Sequence, residues 1–196
     1  MKKVLILNTH LKFDGFAKGE LAQEIVNIAN TTLNSKGYDI KVTNIQEVLT
    51  NLDISKELED HKWADYIIVH LPIYWMNVSS IYREYMDKVY SAGMMGDLCQ
   101  FDGRHSVSPK ENYGTGGLLT NTKYMLVTSL NAPEEAFRKD DFFGKPIDDL
   151  LFSQHMVFKF FGMQKLNTFA FYDVLKNFDI NQFKDFENHI NSIFND

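Results

Sequence analysis

The run Tyr66-Ile67-Ile68-Val69-His70-Leu71, stopped by Pro72, constrains the fold of this chain more than any other stretch. It shows no polar alternation, so it fits a strand covered on both faces, and such strands belong to parallel sheets flanked by helices. Val4-Leu5-Ile6-Leu7 and Tyr124-Met125-Leu126-Val127-Thr128 have the same character. A short strand holding Ile40 and Val42 and another over 168–172 bring the number expected to five.

Helical patterns fall between these strands. Leu21, Ile25, Ile28 and Ala29 recur at helical spacing up to Gly37, a residue suited to ending a helix. Residues 54–63 form a weaker helix, and Ile81, Tyr85 and Val89 mark another, with Ser79 or Ser80 as its cap. Residues 92–122 carry little periodicity. An insertion over 133–165 holds a helical stretch from Ile147 to Phe161, and Phe183, Phe186, Ile190, Ile193 and Phe194 define a closing amphipathic helix. Strands alternating with helices predict one α/β domain over 1–196, a three-layer sandwich with right-handed crossovers. In the strand order 2-1-3-4-5 a ligand lies where strands 1 and 3 diverge, at their carboxyl ends.

Composition narrows the function. The net charge is −6 and no basic run exceeds two residues, which argues against a nucleic-acid partner. A single cysteine, Cys99, excludes an intramolecular disulfide and a cysteine zinc cluster, and the six histidines lack metal-binding spacing. The apolar run after Lys3 is too short for a secretory signal, and nothing approaches the ~20 apolar residues of a membrane span. A cytoplasmic protein without stable membrane insertion is expected. The 16 Phe, 9 Tyr and 2 Trp exceed what core filling usually requires, which points to a planar ligand, an oligomer interface or both.

Three loops would meet at such a ligand. Asn8 to Leu21 leads into a helix starting near Lys18 or Gly19, whose free N–H groups favour phosphate, with Lys12 and Lys18 adding charge; a solvated loop is the plainer alternative. Walker A and G-x-G-x-x-G spacings are absent. Pro72-Ile73-Tyr74-Trp75-Met76-Asn77 carries four large side chains in a row. These either fold inward as the start of the next helix or place backbone amides and a Trp against a flat flavin ring. Thr128-Ser129-Leu130-Asn131-Ala132-Pro133 suits a polar contact to the pyrimidine end of the ring, or a simple helix start with Pro133 in the first turn. Tyr113 stands on the glycine-rich turn Tyr113 to Gly117. His10 and His70 read as structural.

Several blocks together carry a family resemblance: Trp63-Ala64-Asp65, Pro72-x-x-Trp75-Met76, Asp102-Gly103-Arg104, Tyr113-Gly114-Thr115-Gly116-Gly117-Leu118, Lys123-Tyr124-Met125-Leu126 and Asn131-Ala132-Pro133-x-Glu135-Ala136-Phe137. With Phe161-Gly162-Met163 and Thr168-Phe169, they resemble the modulator of drug activity B family of NAD(P)H:quinone oxidoreductases across nearly the whole chain. The resemblance implies a flavodoxin-like fold, tightly bound FAD rather than FMN, and a homodimer with active sites at the subunit interface. It also implies two-electron ping-pong hydride transfer from NADPH or NADH through flavin N5 to a quinone, protective against oxidative stress.

By matching segments, Ala17, Lys18, Gly19, Glu20, Leu21, Ala22, Gln23 and Glu24 would hold the pyrophosphate. Ile73, Tyr74, Trp75 and Met76 would meet the isoalloxazine, and Tyr113, Ser129, Leu130, Asn131 and Ala132 would complete the site. Ala17 replaces a serine frequent among relatives, while Ile73 and Leu130 replace a glycine and a tryptophan found in some. Other readings of the same residues are a nitro- or azo-compound reductase, an FMN electron carrier, and a flavin-binding regulatory partner of a membrane transporter. The first shares the chemistry and differs only in acceptor.

Overall fold

A computed structural model of the chain describes residues 1–195. Its elements follow in the order β1 (Lys3–Asn8), α1 (Glu20–Ser35), β2 (Asp39–Asn44), α2 (Ile45–Val48), α3 (Ile54–Trp63), β3 (Tyr66–Pro72), α4 (Ser80–Tyr85), α5 (Ser91–Gly93), β4 (Lys123–Ser129), α6 (Ile147–Leu150), α7 (Phe152–Phe160), β5 (Gln164–Lys165), β6 (Phe169–Phe171) and α8 (Asn181–Ile193).

Residues of β1, β3 and β4 alternate between two apolar cores, which is why these strands read as unbroken hydrophobic runs. Leu5, Leu7, Ile67, Val69, Leu71 and Leu126 pack on one face with Leu58, Tyr82, Tyr85 and Phe158 from α3, α4 and α7. Val4, Ile6, Ile68 and Val127 pack on the other with Ile25 and Ala29 of α1 and Phe186 and Ile190 of α8. The three layers and the parallel order β2-β1-β3-β4 match the flavodoxin-like expectation.

The fifth position differs in detail. It is divided between β5, paired with Lys123 and Tyr124, and β6, paired with Val127 to Ser129. Between the two, Thr168 turns its hydroxyl to Asp148 at 2.6 Å. Two helices also depart from the simple pattern. The helix after β3 continues from α4 through a π-helical turn, Met86–Tyr90, into α5. The stretch expected over 147–161 is broken at Leu151, whose ψ of 7° interrupts the helical ladder between α6 and α7. No helix among the described residues is long and apolar enough to cross a membrane.

Candidate functional site

The loop after β1 folds into a tight hairpin instead of spreading into solvent. Phe13 N–H donates to Ala17 O at 2.9 Å and Ala17 N–H donates to Phe13 O at 3.0 Å. The rings of Phe13 and Phe16 stack with centroids 5.2 Å apart, and the Tyr74 ring tilts against Phe13 at 5.6 Å. His10 pins the hairpin through Nε2, 3.1 Å from Ala17 O, while its Nδ1 lies 3.3 Å from the Tyr74 hydroxyl, whose single proton is shared between Nδ1 and Leu11 O at 3.1 Å. Burial pushes the His10 pKa down, so the ring is neutral at physiological pH, with Nε2–H as the donor to Ala17.

Gly19 then starts α1 with φ of 102°, a left-handed conformation that suits glycine. A Cβ there would also stand 3.2 Å from His10 Cδ2. Among the described residues, no side chain caps this helix. The first-turn N–H groups of Glu20, Leu21 and Ala22 therefore face outward unpaired, the arrangement that binds phosphate.

The loop after β3 is a two-residue turn closed at both ends, Tyr74 N–H to Asn77 O at 2.8 Å and Asn77 N–H to Tyr74 O at 3.0 Å. Trp75 and Met76 occupy its centre with φ of 50° and 62°. Positive φ at both central positions makes this a type I′ turn, which prefers Asn-Gly. Two bulky side chains here store strain of roughly 1–3 kcal/mol each, a pattern concentrated at functional sites. Trp75 is 95% exposed, so the aromatic run is not inward-folded core. The Ile73 N–H is taken by Ser129 O at 2.9 Å, which leaves Trp75 and Met76 as the loop's free amides. Ser79 then joins this loop to the first: its hydroxyl donates to Thr9 O at 2.7 Å and accepts from Tyr82 N–H at 3.3 Å, capping α4.

The loop after β4 is held by the segment following β6. Leu130 N–H donates to Phe171 O at 3.0 Å, and Val174 N–H returns to Leu130 O at 3.2 Å. Asn131 Oδ1 accepts from Leu175 N–H at 3.1 Å. Pro133 stands just before a short 3-10 turn, Glu134–Phe137, at its cap and not inside its first turn.

These loops enclose a cleft of about 250 Å³ at the carboxyl ends of the central strands. Ala17, Lys18, Gly19, Glu20, Leu21 and Ala22 form one wall; Ile73 and Tyr74 form a second, and Ser129, Leu130 and Asn131 a third. Gln23 lies outside it, bonded to Asn27 at 2.9 Å, and Glu24 faces a groove between α1 and α8. Trp75, Met76 and Ala132 stand beyond the lining. Tyr113 is elsewhere: 69% exposed, it borders a separate apolar recess of about 550 Å³ with Met86, Tyr90, Met156 and Phe160. Arg104 lies over its ring, 5.4 Å from the centroid.

The cleft also holds residues that the sequence did not assign to it. His10 and His70 line it, as do Phe16, Val174 and Leu175. The histidines stood at the ends of loop-bearing strands and could have been found there. Val174 and Leu175 carry no local signal, because only the return of the chain after β6 brings them in. His70 is 1% exposed, and burial, with His10 nearby, pushes its pKa down to about 3.

A parallel sheet with this order, an uncapped helix N-terminus on one side of the cleft and a strained aromatic turn on the other, define a flavodoxin-class α/β protein. The chain belongs to the family described as "Flavodoxin-like fold", whose model matches residues 2–193. It is 38% identical over 194 residues to the NADPH:quinone oxidoreductase MdaB of Haemophilus influenzae, a match covering 97% of this chain and 98% of the relative. The resemblance to the modulator of drug activity B family therefore holds. Among solved structures, a Klebsiella pneumoniae protein described as a candidate quinone reductase superimposes with a TM-score of 0.78 at 21% identity, covering 100% of this chain and 84% of that one. General stress protein 14 of Treponema denticola, solved in complex with FMN, gives 0.65 at 16% identity, covering 98% and 95%.

Proposed function

We propose that this protein is an FAD-dependent NAD(P)H:quinone oxidoreductase that works by a ping-pong mechanism. The observation that carries the reading is the cleft together with the turn that follows Tyr74 at its edge, which present unpaired amides at two places. Those of Glu20, Leu21 and Ala22 suit a phosphate group, and those of Trp75 and Met76 suit the electron-rich edge of a flavin. The 38% identity to a named NADPH:quinone oxidoreductase supports the same activity.

When bound, the flavin supplies hydride acceptance from NADPH or NADH and hydride delivery to a quinone. The chain's own groups do the rest. The α1 N-terminus and Lys18 hold the phosphates, while Gly19 lets the backbone approach closely. The type I′ turn fixes Trp75 and its amide before any ligand arrives, so little ordering cost remains at binding. Neutral His10, tied between Ala17 and Tyr74, keeps the first loop folded against the second. Ile73 fills space where some relatives carry Gly, Leu130 opens space where some carry Trp, and both bear on acceptor choice. A homodimer would add a second wall over the exposed Trp75, and the recess beside Tyr113 is a natural part of that contact.

FMN is the second reading. A cleft of about 250 Å³ is small beside the ~300–1,000 Å³ of typical cofactor pockets, so the adenosine half of FAD would lie outside it. One experiment separates the readings. The purified protein is denatured, its flavin identified by chromatography, and the native protein mixed anaerobically with NADPH and then with a quinone. FAD, bleaching by NADPH and reoxidation by quinone are expected. FMN would overturn the cofactor assignment, bleaching without reoxidation would overturn the acceptor, and a colourless protein that takes up no flavin would overturn the whole reading.

A further inference from the structure

A partly buried chain of polar side chains runs from β2 to β4, and two of its members, His70 and Ser129, line the cleft. Asn8 Nδ2 donates to Asn44 Oδ1 at 3.2 Å. Asn8 Oδ1 accepts from the backbone N–H of His10 at 3.2 Å and also meets His70 Nδ1 at 3.3 Å. His70 Nε2 in turn lies 3.1 Å from Ser129 Oγ. The strand register explains the last contact. His70 pairs with Val127, so Ser129, two residues on, shares its face of the sheet.

The direction of every bond in this chain follows from one unambiguous donor. A backbone N–H can only donate, so the atom of Asn8 facing His10 is its oxygen. His70 Nδ1 faces the same oxygen and must carry a proton. Buried away from water, the imidazole is neutral, so its Nε2 has a lone pair and no proton. Ser129 must then donate its only proton to His70. Its carbonyl is also occupied, accepting from Ile73 N–H at 2.9 Å. What Ser129 Oγ has left for the cleft is acceptor capacity alone.

We propose that Ser129 acts as an obligate hydrogen-bond acceptor that selects a ring N–H on the ligand, with His70 and Asn8 as positioning residues that hold its proton away from the cleft. The inference rests on the flavin reading and deepens it: the matching group is the imide N–H at the pyrimidine end of the isoalloxazine. A ring alkylated or ionised at that nitrogen offers no donor and faces lone pairs instead.

The test titrates flavin-stripped full-length protein with FAD and with its N3-methyl analogue, following quenching of flavin fluorescence. Wild type should bind FAD at least tenfold more tightly than the methylated ring, the scale of one lost hydrogen bond with its partner left buried. Ser129→Ala should weaken FAD binding and bring the ratio to within about threefold, whereas Ser129→Thr, which keeps the hydroxyl, should preserve it. His70→Leu should collapse the ratio by freeing the serine proton. His70→Gln, able to give N–H to Asn8 and C=O to Ser129, should restore it, which a merely space-filling role would not require. Tight FAD binding by wild type without discrimination, or an undiminished ratio in Ser129→Ala, would overturn the inference while leaving the flavin site standing. If wild type bound neither ring, the flavin reading would fall first.

Discussion

Two hydrogen-bonded histidine networks sit at opposite ends of β4, and they differ in what they leave unused. At the amino end, His155 Nδ1 meets the Tyr124 hydroxyl at 3.0 Å and its Nε2 meets Asp148 Oδ1 at 3.1 Å. Asp148 also binds Lys165 and accepts from Thr168 at 2.6 Å. Every member is satisfied by another. At the carboxyl end, His70 and Ser129 are bonded just as closely, yet the serine keeps a lone pair for the cleft, and the amides of two neighbouring loops have no protein partner. A cluster of titratable groups therefore does not by itself mark a site. The mark is surplus capacity facing a cleft, combined with strain that the fold alone gives no reason to keep.

Acidification should separate buried histidines from bonded carboxylates most strongly. His61, buried in the α3 core, and His70 have pKa values pushed down to about 4 and about 3 by burial. Below pH 6.5 the unfolded chain takes up protons that these folded histidines refuse, so stability falls as pH falls, down to their folded values. At pH 5 each should cost ~2 kcal/mol, from about 1.4 kcal/mol per unit of pH. Urea midpoints measured between pH 7.5 and 5 would show this decline, and His61→Phe should flatten it.

Asp148→Ala breaks the closed network. It strips partners from His155, Lys165 and Thr168, and should lower stability by about 2 kcal/mol while leaving flavin affinity and quinone turnover within about twofold. A large loss of flavin affinity would show that the two networks are not independent. Gly19→Ala attacks the open site instead. It puts a methyl at φ of 102° against the His10 ring, and should weaken flavin binding about tenfold with a smaller change in denaturation midpoint. The smallest effect is expected from the double change Trp75→Asn with Met76→Gly, which gives the turn its preferred residues. That variant should be more stable by about 1 kcal/mol and bind flavin less well. Unchanged flavin affinity would remove the functional account of the strain.

The sequence read well where burial acts on both faces of an element. β3, β4 and the start of α1 were legible because periodicity and helix-start rules act locally, whereas the span Ala17 to Ala22 was assigned from the family resemblance. Even the weak pattern over 54–63 proved to be α3 over the same residues. Legibility failed where a distant partner decides. The strand expected over 168–172 appeared as β6, but the two-residue β5 beside the start of β4 was not expected, because its only signal is pairing with a distant strand. Ile73 was expected to meet the isoalloxazine and Leu130 to complete the site; both line the cleft, and distant strands take their backbone N–H groups, at Ser129 and Phe171. Tyr113 borders a recess shaped by the π-helical turn and α7; α7 falls within the helical stretch expected over 147–161, but the π-helical turn has no signal in the sequence.

Ser79 gives the cleft a property that belongs to none of its walls. One hydroxyl is stitched at once to the backbone of the first loop and to the first turn of α4. The β1 and β3 loops are thereby geared together, and a shift in one must be transmitted to the helix that follows the other. Since that helix runs on through the π turn to Tyr90, on the border of the Tyr113 recess, the molecule has a continuous bonded path from the loop after β1 to the far apolar surface.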